Sequence, residues 1–179
     1  MINSDELNPR KAIRKLRGQW TAEVAQSLNL SDYDVLFDHG SASGRIISYF
    51  GSSNERGSQL SYLDIAIVRK NTNQAVALIE IEETANRPKT IIADIFAFLL
   101  GERVTYKGRD LDVGNETSFI VLAYSKVQQP KHKQYILDKI ERVRPDLSTK
   151  NSKIGRIVIE TYSSQDELSS FLMSLLSNL

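Results

Sequence analysis

The stretch "SYLDIAIVRKNTNQAVALIEIEE", Ser61 to Glu83, decides how this chain folds. Two runs rich in β-branched and aliphatic residues, Ser61–Arg69 and Ala75–Glu83, flank the turn-like Lys70–Gln74, the pattern of an antiparallel hairpin. With the turn centred on Thr72, residues equidistant from it lie opposite one another, which pairs Asp64 with Glu80. Glu82 falls on the same face one pleat further on, and Glu83 points the other way. Directly opposed β-carbons stand about 4.5–5.5 Å apart, so the carboxylates converge. Each such charge on a half-buried face costs several kcal/mol to desolvate unless something compensates it, and mutual repulsion raises at least one pKa. A hard divalent cation removes that penalty, and magnesium commonly takes one or two carboxylates together with water and phosphate. For the strand Ala75–Glu83 alone, an outer face that meets water explains the glutamates as well. Asp64, set among Tyr62, Ala66 and Val68 on the partner strand, favours a site.

Working outward, "RPKTIIADIFAFLLG" puts Pro88 near a helix start and Gly101 just past its end, with Ile91, Ile92, Ile95, Phe96, Leu99 and Leu100 forming a wide apolar face. A polar loop over Tyr106–Thr117 leads to "SFIVLAYS", Ser118–Ser125, an unbroken apolar strand of the kind covered on both faces. The helix Lys131–Arg144, the strand Arg156–Tyr162 and a last helix from Gln165 follow. Ser163 and Ser164 cap that helix, Asp166 and Glu167 suit its positive end, and its apolar stripe either covers the core or pairs with another chain. Upstream, Ile13, Leu16, Trp20, Val24 and Leu28 give Arg10–Leu28 a helical period, and "YDVLFD" and "RIISYFG" read as strands. No repeat or linker divides the chain, so a single α/β domain over residues 1–179 is expected.

Composition narrows the chemistry. The 179 residues include 41% hydrophobic and 25% charged, which is globular. There is no cysteine, which excludes thiolate metal sites and cysteine nucleophiles, and the two histidines, His39 and His132, leave little for a histidine-based metal site or triad. Any metal must be held by oxygen. "DHGSASGR" lacks the spacing of a phosphate-binding loop and reads as a turn, with His39 beside Asp38. No apolar run is long enough for a membrane span and no signal-peptide core is present, so a soluble cytoplasmic protein is expected. The net charge is only +1, yet Arg10, Lys11, Arg14, Lys15 and Arg17 at one end and Lys126, Lys131, Lys133, Lys139, Arg142 and Arg144 towards the other surround an acidic middle. A basic rim about an acidic centre suits a metal-dependent enzyme acting on a polyanion, as solvated helix faces would also produce.

The order helix, antiparallel strands, helix, strand, with Leu63-Asp64 on one strand and Glu80-Ile81-Glu82 on the next, resembles the PD-(D/E)XK nuclease superfamily, the restriction endonuclease-like proteins. The resemblance covers roughly residues 10 to 125. It implies an αβββαβ core, a mixed central sheet flanked by helices, with a C-terminal α-β-α extension. It also implies Mg2+ or Mn2+ as cofactor, DNA as partner and a homodimer, since duplex cleavage needs two sites. On this pattern Asp64 and Glu80 are metal ligands, joined by Glu23 from the first helix, and Glu82 orients or deprotonates the attacking water. Leu63 stands in place of the motif proline. Glu82 occupies the usual lysine position, as in some restriction enzymes, and Lys89 is the lysine that the following helix offers in its stead. The alternative is a catalytically degenerate nuclease-fold module that binds nucleic acid or protein.

Overall fold

The hairpin around Lys70–Gln74 sits within a five-stranded sheet. The computed structural model describes residues 32–37, 44–51, 56–82, 88–124 and 130–177. The expected helix Arg10–Leu28 with Trp20 and Glu23, the Asp38–His39 pair and Glu83 lie outside these residues. The strands are β1 (Tyr33–Phe37), β2 (Ile46–Tyr49), β3 (Gln59–Leu63), β4 (Ile65–Arg69), β5 (Ala75–Glu82), β6 (Arg103–Tyr106), β7 (Arg109–Leu111), β8 (Ser118–Tyr124) and β9 (Arg156–Tyr162). Three α-helices are described: α1 (Pro88–Leu99), α2 (Pro130–Val143) and α3 (Gln165–Ser177). The fold is mixed α/β. The larger sheet runs β1-β4-β5-β8-β9, antiparallel as far as β5 and parallel from β5 through β9.

The β4–β5 turn carries Asn73 in the left-handed region, φ 58°, where asparagine is among the few side chains tolerated. Arg69 N–H donates to the Gln74 carbonyl at 2.9 Å and closes the turn. The ladder beyond a bulge at Ile67/Val68 pairs Ile65 with Ile79 and Ala66 with Leu78 and stops at the bend of Asp64, which meets β5 through its side chain instead. β8 lies between two parallel neighbours with helices over both faces, which is why Phe119 to Ala123 can all be apolar and buried.

Two expectations change. Ser61–Arg69 reads as one strand, but the chain passes from β3 to β4 at Asp64, and β3 belongs to a second sheet, ordered β3-β2-β6-β7 and wholly antiparallel. Alternation alone cannot show this division, because both halves bury a face in the same core: Leu63 of β3 and Ala66 of β4 share one apolar cluster. The supposed loop Tyr106–Thr117 contains β7, joined to β6 by Lys107 (φ 50°) and Gly108 (φ 77°), a two-residue turn with both residues left-handed.

The small sheet, α1 and α2 cover one face of the large sheet through Ile46, Leu63, Val104, Ile91, Ile95, Phe98, Ile136 and Ile140. Phe98 of α1 stacks on Phe119 of β8 with centroids 4.2 Å apart and planes within 1°. The C-terminal end of α1 is closed by a distant segment: Asn151 Nδ2 donates to the Phe98 carbonyl at 3.0 Å, and the Thr149 hydroxyl to the Leu99 carbonyl. Gly101 is required there, since a β-carbon would stand 2.4 Å from Ser48 Oγ and 2.5 Å from Asn151 Nδ2. α3 covers the other face through Leu168 and Leu172, packed with Ile65, Ile67, Ile79, Ile81 and Leu122. Its start is capped as the serines suggest: Ser164 Oγ accepts from Glu167 N–H at 3.2 Å, and Glu167 Oε2 accepts from the Ser163 N–H at 2.7 Å and hydroxyl at 2.8 Å.

Candidate functional site

The acids of the hairpin gather on the face that α1 covers. Along β5, Ala77, Ile79 and Ile81 belong to the cluster beneath α3, whereas Leu78 belongs to the cluster beneath α1. Period-2 alternation therefore turns Glu80 and Glu82 towards α1, in the rows of Val121 and Ala123 on β8. Ala66 and Val68 of β4 also point there, and Asp64 shares their parity.

Asp64 is held by the partner strand. Its Oδ2 accepts the backbone N–H of Ile81 at 2.7 Å, a charge-assisted bond that takes up a donor next to the point where β4 ends. Asp64 is half-buried, as are Glu80 and Glu82, and Glu80 keeps one oxygen, Oε2, shut off from solvent.

A fourth acid joins from α1. Asp94 hydrogen-bonds Glu82 through their side chains and lies within electrostatic reach of Asp64. Its pKa is raised from the ordinary aspartate value: burial raises it most, the hydrogen bond with Glu82 pulls it back, and the charge of Asp64 raises it further. Its Oδ2 is shut off from solvent and has no hydrogen-bond partner among the described residues. The signal for Asp94 was present in the sequence: it lies three residues after Ile91 and four before Phe98, on the stripe that buries Ile91, Ile95 and Phe98. A carboxylate on the buried stripe of an amphipathic helix is out of place unless it faces something polar.

Lys89 is exposed in the first turn of α1, two residues before Ile91 and thus on the outward side of the helix. His132 is exposed on α2, away from the acids in sequence and element. Among the described residues no three His, Asp or Glu side chains stand together as a ready cage for a metal ion. The donor set is nonetheless all oxygen, and it contains shielded carboxylate oxygens on Glu80 and Asp94 and an acid whose proton affinity is raised, which is the chemistry a hard cation neutralises. Arranged in this way, Asp64 and Glu80 offer anionic ligands, and Glu82 with Asp94 forms a paired acid and base. A scan against protein-family models finds no match, and searches of curated proteins and of solved structures find no significant relative.

Proposed function

We propose that the chain is a metal-dependent DNA endonuclease of restriction endonuclease-like build, hydrolysing phosphodiester bonds. The observation that carries this reading is the hydrogen bond from the Ile81 N–H to Asp64 Oδ2, which holds Asp64 against β5 between Glu80 and Glu82. The topology supports it as well: the antiparallel series β1-β4-β5, then α1, then β8 parallel to β5, is the βββαβ order of that superfamily with the small sheet added. Asp64 and Glu80 are the residues that would hold magnesium or manganese, which would supply charge stabilisation at the phosphoryl group and a more acidic water. Glu82 orients that water and accepts its proton, and Asp94 positions Glu82 through their hydrogen bond. DNA as substrate and a homodimer follow from the same reading; the apolar stripe of α3 is spent on the core, so the pairing surface lies elsewhere. No described helix is long and apolar enough to cross a membrane.

A second reading keeps the fold and drops the chemistry. It is favoured by Glu82 in the usual lysine position and by the commitment of Asp64 Oδ2 to the Ile81 N–H. Nicking of plasmid and branched DNA, with magnesium or manganese and with the D64A and E80Q variants, separates the two. The enzyme reading expects a loss of about 10²-fold or more in either variant. Cleavage by D64A at the wild-type rate sinks the site, and binding without cleavage by the wild type selects the second reading.

A further inference from the structure

The small sheet is placed to do more than brace α1. Ile46 of β2 lies opposite Leu63 of β3 and opposite Tyr106 of β6. The next row at that end of the sheet is therefore Asp64 after β3, Arg45 before β2 and Lys107 after β6. Two cations thus flank the residue at which the chain enters the carboxylate cluster. Arg109, opposite Tyr106 on β7 and exposed, adds a third. Asp110, one row further in, is engaged by Arg103 at 2.6 Å, so Asp64 is the acid at this end among the described residues.

The same end carries an aromatic surface. Tyr62 is 43% exposed, although the Arg45 guanidinium stands 5.3 Å from its ring centroid. Its hydroxyl donates to Gln59 Oε1 at 2.7 Å, which fixes the ring. Lys107 Nζ lies 5.3 Å from the Tyr106 ring centroid. Gly44 makes room for that lysine, since a β-carbon there would stand 2.3 Å from Lys107 Cγ. An exposed ring fixed by a hydrogen bond, with Arg45 over it and Lys107 and Arg109 along the same sheet end, has the chemistry of a stacking platform for bases with phosphate contacts around it.

We propose that the Asp64 end of the small sheet docks an unpaired strand of nucleic acid, with Tyr62 stacking on a base and Arg45, Lys107 and Arg109 taking the phosphates that lead to the carboxylates. This rests on the nuclease reading for its direction and adds the substrate class: DNA with a single-stranded segment beside the scissile bond. Base stacking is indifferent to sequence because every base has a π-face, and within a duplex those faces are occupied.

Fluorescence anisotropy tests it, with a labelled oligothymidine and the same strand annealed to its complement, in EDTA so that hydrolysis plays no part. The wild type binds the single strand more tightly, Y62A weakens that binding about tenfold while Y62F retains it, and R45A lowers the salt slope by about one phosphate contact. Y62A and R45A binding like the wild type, equal affinity for duplex, or no binding to either probe overturns the proposal. Cleavage assays read the other claim independently. Tyr62-dependent binding in a protein whose D64A variant still cuts removes the nuclease site and leaves the platform. Asp64-dependent cutting with binding indifferent to Tyr62 and Arg45 does the reverse.

Discussion

Strand β5 has two sides that obey different rules. Towards α3 it presents Ala77, Ile79 and Ile81, continuous with Ile65, Ile67, Ile120 and Leu122, a surface in which every side chain is apolar and buried. Towards α1 it presents Leu78 and then Glu80 and Glu82, with Asp64 bonded to the Ile81 N–H between them and Asp94 bonded to Glu82. Stability alone would favour the first arrangement on both sides, because half-buried carboxylates repel one another and lose hydration. The contrast teaches that α1 is held over the sheet by Ile91, Ile95, Phe98 and Leu99, with the Phe98–Phe119 stack, and that Asp94 is the one polar break in that stripe. The acids are located by a core that is strong elsewhere.

The contrast can be broken or sharpened by substitution. The largest effect belongs to the apolar side: I79A leaves a cavity in a site with no exposure and lowers stability by about 2–5 kcal/mol in chemical denaturation. Loss of cleavage without loss of folding in E80Q, one residue along the same strand, shows the two sides to be separately specified; a drop in E80Q stability as large as that of I79A erases the distinction.

A smaller effect follows from the cap that starts α3. S164A removes the acceptor of the Glu167 N–H and costs about 0.5–2 kcal/mol, read from the same denaturation curves.

The smallest effect has the opposite sign and depends on pH. Asp94 holds its proton more tightly folded than unfolded, so the folded state binds more protons as pH rises past the ordinary carboxylate value, and stability falls through that window up to the raised folded-state value. D94N keeps a donor for Glu82 and removes the charge. Its melting temperature lies above that of the wild type at pH 7, and the gain fades in acid, below the ordinary carboxylate value. A gain that persists unchanged in acid places its cause outside the carboxylate cluster.

What the sequence by itself determined was local. The Lys70–Gln74 turn and the alternation around it specified the β4–β5 hairpin, whose ladder runs to Ile65 and Ile79 past a bulge at Ile67/Val68, and the Asn73 conformation agrees with the turn. Unbroken apolarity marked β8 as covered on both faces, the 3.6-residue period with Pro88 and Gly101 bounded α1, and Ser164 and Glu167 marked the start of α3. These features depend on neighbours within a few residues, where turn geometry, capping and periodicity act directly. The tertiary structure decided the rest. It divided Ser61–Arg69 between two sheets at Asp64, built β7 from an apparent loop, brought Asn151 to the end of α1, and delivered Asp94 to Glu82. Periodicity reports that a face is buried and is silent about what buries it, so contacts between distant segments emerge only when the layers close.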